Sequence, residues 1–160
     1  MAILAAWKQT DFVNSLLDFK SGALKGLLIK GESSTRLIIR SMVLTTSIGN
    51  FPTFRCAEQL RNDVGYHNLN VTVVSVGGGL SYGNLGYSHH ALQDYSLMRS
   101  FPNMLILSPG NNDELTSSLK FIVKNPQPSY LRLDKDESIQ DNQNKYLKIE
   151  PGKPIKILDG

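Results

Sequence analysis

The sequence predicts an α/β domain built on parallel strands, and three observations carry that prediction. From Val43 onward, short apolar stretches alternate with stretches of helical spacing. The run Val71 to Val76, VTVVSV, is apolar almost throughout, as a strand covered on both faces must be. A glycine loop, Gly77-Gly78-Gly79, follows it before the next helix and strand. Two strands joined by a helical crossover lie parallel, which leaves that loop at the carboxyl end of the first strand, where open α/β sheets bind ligands. The stretch from Val71 to Pro109 is therefore expected to contain a site.

Taken in order, the chain begins with its least regular part. Asp11 to Leu24 carries Phe12, Leu16, Leu17 and Phe19 at near-helical spacing, interrupted by Lys20-Ser21-Gly22. Leu27 to Lys30 and Leu37 to Leu44 have the apolar, β-branched character of strands, separated by the polar turn Gly31-Glu32-Ser33-Ser34. Val43 to Ile48 reads as the first regular strand, with Pro52 placed for the first turn of a helix over Thr53 to Tyr66. That helix sets Ala57, Leu60 and Val64 on one face and Glu58, Arg61 and Asn62 on the other. A second helix is expected from His89 to Arg99, with Ser88 as its N-cap, and then a strand from Met104 to Leu107. Asn112 is placed to cap a third helix with Leu115, Leu119 and Ile122 or Val123 as its stripe, ended by Asn125-Pro126. Ser129 to Leu133 is the last strand, and after Asp134 the chain turns polar. The expected division is 1–42 as a divergent N-terminal part, 43–134 as the core, and 135–160 as an arm.

Composition narrows the function classes. The 160 residues fit one domain, which at this length buries roughly two-thirds of the surface its unfolded chain exposes. A hydrophobic content of 41% with 19% charged residues is that of an ordinary globular protein. The net charge of +3 comes from dispersed lysines and arginines without a basic run, which argues against nucleic-acid binding. The single cysteine, Cys56, has no partner for an internal disulfide, and no stretch reaches the ~20 apolar residues of a membrane span. The expectation is a cytoplasmic protein with no membrane partner.

The glycine loop itself admits more than one reading. Gly77, Gly78, Gly79, Gly83 and Gly86 do not follow the G-x-G-x-x-G spacing of dinucleotide folds, and no G-K-[ST] follows, so phosphate-loop readings fail. Glycines after a strand also serve tight turns, and a histidine beside them also serves as a structural hydrogen-bonding group. The pair His89-His90 adds imidazoles whose nitrogens can donate or accept near neutral pH, aimed towards the crevice if they start a helix.

Several linked stretches carry a resemblance. Ser47-Ile48-Gly49-Asn50-Phe51-Pro52-Thr53-Phe54-Arg55-Cys56, Glu58-Gln59-Leu60-Arg61-Asn62-Asp63, Tyr66-His67-Asn68-Leu69-Asn70-Val71 and Gly77 to Pro109 together resemble the pyrimidine-binding domain of the transketolase family. The likeness is to the type found in transketolase C-terminal sections and in deoxyxylulose-phosphate synthase, and it spans roughly Val43 to Gly160. It implies a three-layer thiamine-diphosphate-binding fold in which the cofactor lies between a pyrimidine-binding and a diphosphate-binding domain, usually of another chain. The implied chemistry is transfer of a two-carbon ketol unit between sugar phosphates, with magnesium held by the partner.

Site residues follow from the resemblance in the same way. Ser88-His89 matches the family's step of a small hydroxyl residue and a histidine, which makes His89 the contact to the hydroxyls of the donor sugar. Lys135 falls where the family has an arginine near the sugar phosphate; a lysine there offers a point charge in place of a fork. Phe51 matches a ring that packs on the aminopyrimidine, a position an ordinary core phenylalanine would also fill. The sequence departs from the family where a glutamate is expected to hydrogen-bond the aminopyrimidine. That position holds Leu17, with Asp18 beside it as a displaced substitute, one residue out and one methylene short. Three readings remain open from the residues. One is a component of a split transketolase-like enzyme, inactive without a diphosphate-domain partner. Another is a catalytically dead homologue that binds or assembles, by self-association or with a partner, or that is the product of a decayed gene. The third is a stand-alone module that binds a sugar phosphate.

Overall fold

The computed structural model describes residues 27–30, 35–39, 42–134 and 152–153. Its six strands, β1 (Leu27–Lys30), β2 (Thr35–Ile39), β3 (Met42–Ile48), β4 (Val71–Val76), β5 (Leu105–Leu107) and β6 (Ser129–Leu133), form one sheet in the order β1-β2-β3-β4-β6-β5. β3, β4, β6 and β5 are parallel, with Val43 opposite Val71, Val73 opposite Tyr130 and Ile106 opposite Tyr130. These are the four strands expected to be parallel. β1 and β2 extend the sheet antiparallel beyond β3. The single strand expected over Leu37 to Leu44 is therefore divided. The chain reverses between Ile39 and Met42, so its two halves pair with each other across the register Ile39–Met42.

Burial explains why β4 is apolar on both sides. Val73, Val74 and Val76 are all buried although consecutive residues of a strand face opposite ways, so the sheet is covered twice. On the Val73 side lie α1 (Asn50–Phe54), α2 (Ala57–Gln59) with its π-wound continuation Leu60–Gly65, and α3 (Asp94–Arg99). From these elements and the loop after α3, Leu60, Met98 and Phe101 close a core around Val73 and Tyr130, with Ala57, Val64, Leu97 and Ile106 packed against it. Fully burying side chains of this size stabilises by about 1.5–3 kcal/mol each. Val74 and Leu131 alternate to the other face and are equally closed to solvent, as are Leu119 and Ile122 of α4 (Asn112–Lys124). The result is the three-layer α/β domain that the strand pattern predicts.

Three helix expectations are corrected. The helix expected over Thr53 to Tyr66 starts earlier and is broken at Arg55-Cys56. The Thr53 hydroxyl donates back to the carbonyls of Gly49 and Asn50, competing with the backbone ladder, and Cys56 leaves helical geometry at φ −114°, ψ 17°. Past Leu60 the coil widens, with Tyr66 N donating to Arg61 O. Gly65 lets the end of this coil lie close to Pro102, since a β-carbon there would meet the Pro102 carbonyl at 2.9 Å. The helix expected from His89 begins only at Asp94, and Ser88 does not cap it. Ala91 spends both its backbone groups on Gly79, as Gly79 N to Ala91 O at 2.9 Å and Ala91 N to Gly79 O at 3.1 Å, so no helix can pass through it. The cap of α4 is Asn111, one residue before the expected Asn112. Its Oδ1 accepts from Glu114 N at 2.9 Å, while the Glu114 carboxylate accepts from Gly110 N at 2.7 Å.

The expected helix over Asp11 to Leu24, with Leu17 and Asp18, lies outside the described residues, as does Lys135.

Candidate functional site at the carboxyl edge of the parallel strands

β3, β4, β5 and β6 deliver Gly49, Gly77, Ser108 and Asp134 to the same edge of the sheet, and of the expected site residues Phe51, Ser88 and His89 lie there. Gly49 is what lets β3 and β4 meet the loop closely. A β-carbon on it would stand 2.7 Å from Ser75 Oγ and 2.9 Å from the Ala91 β-carbon. The next residue, Asn50, donates from Nδ2 to the Ser88 carbonyl at 2.8 Å and so ties α1 to the far side of the glycine loop. That bond sets Phe51 against His89 in an edge-to-face contact, with ring centroids 5.2 Å apart and planes at 62°. The Tyr82 ring lies near the same imidazole, with centroids 6.1 Å apart and planes at 58°. Burial raises the Tyr82 phenol above its ordinary pKa, so it stays neutral.

Within this cluster the two histidines act differently. His89 Nδ1 is 3.0 Å from Ser88 Oγ, which orients the ring, and its Nε2 has no hydrogen-bond partner among the described residues. His90 Nε2 lies 2.9 Å from the Gly83 carbonyl and braces the loop from within. Ser88, His89 and Phe51 are thus brought together, with His89 in a turn and not at a helix start.

Residues that sequence reasoning does not single out complete the site. Arg55 lays its guanidinium over the Phe51 ring, 4.4 Å from the centroid. The spacing of four between Phe51 and Arg55 is a usable signal, since such pairs share a helix face. Below the loop, Tyr130 donates to Asp94 Oδ2 at 2.8 Å, and Arg132 Nε stands 3.4 Å from the same oxygen. Asp94 is fully buried. Nothing in sequence spacing links Asp94 to Tyr130 or Arg132, because the contact is made in space between the start of α3 and β6. Among the described residues no three His, Cys, Asp or Glu side chains gather into a metal-holding group.

Residues 39–139 match the family model for the transketolase pyrimidine-binding domain. The chain belongs to that family.

Among relatives of this transketolase-type domain, the B component of an apulose-4-phosphate transketolase from Phocaeicola vulgatus is 34% identical over 69% of the chain and 35% of its own length. A putative transketolase C-terminal section from Methanocaldococcus jannaschii is 31% identical over 74% of the chain and 38% of its own length. Among solved structures, a split-gene transketolase described as an inactive β4 tetramer superposes with a TM-score of 0.54 at 26% identity, covering 69% of this chain and 34% of the other. The pyrimidine-domain chain thus spans about a third of the length of each of these three proteins.

The Phe51 ring meets the His89 ring edge to face. Phe51 is half-buried, contacts both His89 and Arg55, and lies where parallel strands end.

Proposed function

We propose that this chain supplies the pyrimidine-binding half of a thiamine-diphosphate site in a split transketolase-like enzyme. A partner chain provides the diphosphate-binding domain and the magnesium. The observation that carries the reading is the Asn50–Ser88 tie that holds Phe51 and His89 together at the carboxyl edge of the parallel strands. The similarity to proteins named as parts of split transketolases supports it.

In this reading Phe51 packs against the aminopyrimidine and His89 uses Nε2 on the hydroxyls of the donor sugar. Ser88 fixes the imidazole from the other nitrogen. Lys135, just past the end of β6, serves the sugar phosphate, and Asp18 stands in for the family's glutamate. When bound, thiamine diphosphate supplies the carbon nucleophile that moves a two-carbon unit between sugar phosphates. The chain alone is inactive because half the cofactor contacts belong to the partner.

Exposed apolar side chains on the same face favour a partner. Leu80, Leu85, Tyr87 and Leu92 all lie on or beside the glycine loop, with Tyr87 71% exposed, and Phe54 projects from α1. Monomeric proteins rarely leave such surface uncovered, and stable interfaces bury on the order of 1,200–2,000 Å². A second reading, a catalytically dead homologue that keeps the assembly role, is favoured by Leu17 at the glutamate position.

Sedimentation velocity at micromolar concentration, with and without a diphosphate-domain chain, tests the association common to both readings. A heavier boundary in the mixture, or a self-associated species alone, is expected. A monomer that ignores the partner contradicts it. Ketol transfer in the mixture separates the two readings, since the dead homologue assembles without turnover.

A further inference from the structure

We propose that Arg132 is a positioning residue: it latches the two ends of the glycine loop together and thereby sets where His89 stands. The inference rests on the reading of His89 as a sugar contact only for its functional consequence; the latch itself is geometric.

The loop leaves β4 at Gly77 and returns at Ala91, and Arg132 crosses beneath both ends. Its Nη2 donates to the Ala91 carbonyl at 3.1 Å, the same oxygen that accepts from Gly79 N at 2.9 Å. The guanidinium also runs directly under Gly78, where a β-carbon would fall 2.0 Å from Nε and 2.3 Å from Cζ. A side chain at position 78 and the guanidinium cannot share that space. Gly77, at φ +80°, is crossed in the same way by the Tyr82 ring, which a β-carbon would meet at 2.2 Å. The first two glycines of the run therefore each let one side chain pass under the loop.

The guanidinium is itself held from three sides. Asp94 Oδ2 stands 3.4 Å from Nε, the Tyr95 ring lies 4.3 Å from Cζ, and Ala91 O takes Nη2. The Asp94 carboxylate is in turn fixed by the Tyr130 hydroxyl. Burial disfavours the charge on Arg132, yet the neighbouring Tyr95 and the Asp94 carboxylate outweigh it, so its pKa lies above the ordinary value. A planar fork suits this work, because one group must face a carboxylate and a carbonyl together. Ala91 lies two residues past His89, and its β-carbon sits against Gly49 at the start of α1. Pinning Ala91 therefore pins the short segment on which His89 meets Phe51.

The test is Arg132→Lys, which keeps a charge beside Asp94 but loses the fork, with Gly78→Ala as an independent variant that displaces the guanidinium from the other side. Two readouts apply to the full chain: amide hydrogen exchange at Gly79 and Ala91, and the NMR shift of the His89 ring protons, which feel the ring currents of Phe51 and Tyr82. Both variants are expected to accelerate exchange at Gly79 and Ala91 at least tenfold and to move the His89 signals towards free-histidine values, with Val73 and Val74 still protected. Wild-type exchange and shifts in either variant would overturn the latch. Equal loss of protection in loop and core would overturn it too, by showing a general stabilising role. In the reconstituted assembly the lysine variant is expected to raise KM for the ketose phosphate about tenfold with a smaller change in kcat. A loosened loop with unchanged KM leaves the latch standing and refutes the role given to His89.

Discussion

Tyr130 shows how one buried hydroxyl makes stability depend on pH. It is closed to solvent and donates to Asp94. Burial, with the Asp94 carboxylate adding to it, pushes its pKa well above the ordinary 10.0. Burial raises Tyr82 as well. The folded chain therefore keeps protons that the unfolded chain releases near pH 10. Stability from these phenols is fully present below about pH 10 and declines as pH rises further, by up to about 1.4 kcal/mol per pH unit for each. Tyr130→Phe is expected to be less stable than the parent at about pH 8, because Asp94 loses its donor, but to lose stability less steeply between about pH 10 and 11. Urea midpoints across that range measure both. An equal slope for the two proteins would show that the phenol is not held neutral by the fold.

At the scale of elements, α4 offers the plainest local test. Asn111 caps it through Glu114 N, and Glu114 reaches back to Gly110 N. Asn111→Ala is expected to cost about 1 kcal/mol, which for a domain of this size lowers the melting temperature by about 2–4 °C. Calorimetry checks it, and an unchanged melting temperature would contradict the capping role. The same helix shows what a sequence discloses. Its stripe and its end at Asn125-Pro126 are legible, because burial follows a helical period and proline punctuates. Its cap falls one residue before the expected one, because Asn111-Asn112 offers two equivalent side chains. The parallel strands are legible for a similar reason, since a strand buried on both faces must be nearly continuous in apolar residues. The region around His89 is not, because what stops a helix there is the pairing of Ala91 with Gly79, a contact invisible in linear spacing. The Asp94–Tyr130–Arg132 cluster is hidden for the same cause. Of the expected site residues, Phe51, Ser88 and His89 do converge, and Asp18 and Lys135 lie outside the described part of the chain.

For the whole molecule, topology and surface point the same way. A parallel sheet gathers the carboxyl ends of its strands along one edge. Here that edge carries Phe51, His89 and a loop whose apolar side chains are left in solvent. A surface built in this manner is suited to closing against a second domain over a shared ligand. Titration calorimetry of thiamine diphosphate with magnesium, into this chain alone and into its mixture with a diphosphate-domain chain, tests that claim most directly. Saturable binding in the mixture and none to the chain alone is the predicted result. Saturable binding by the homogeneous chain, or none in a mixture whose chains sediment together, would contradict it.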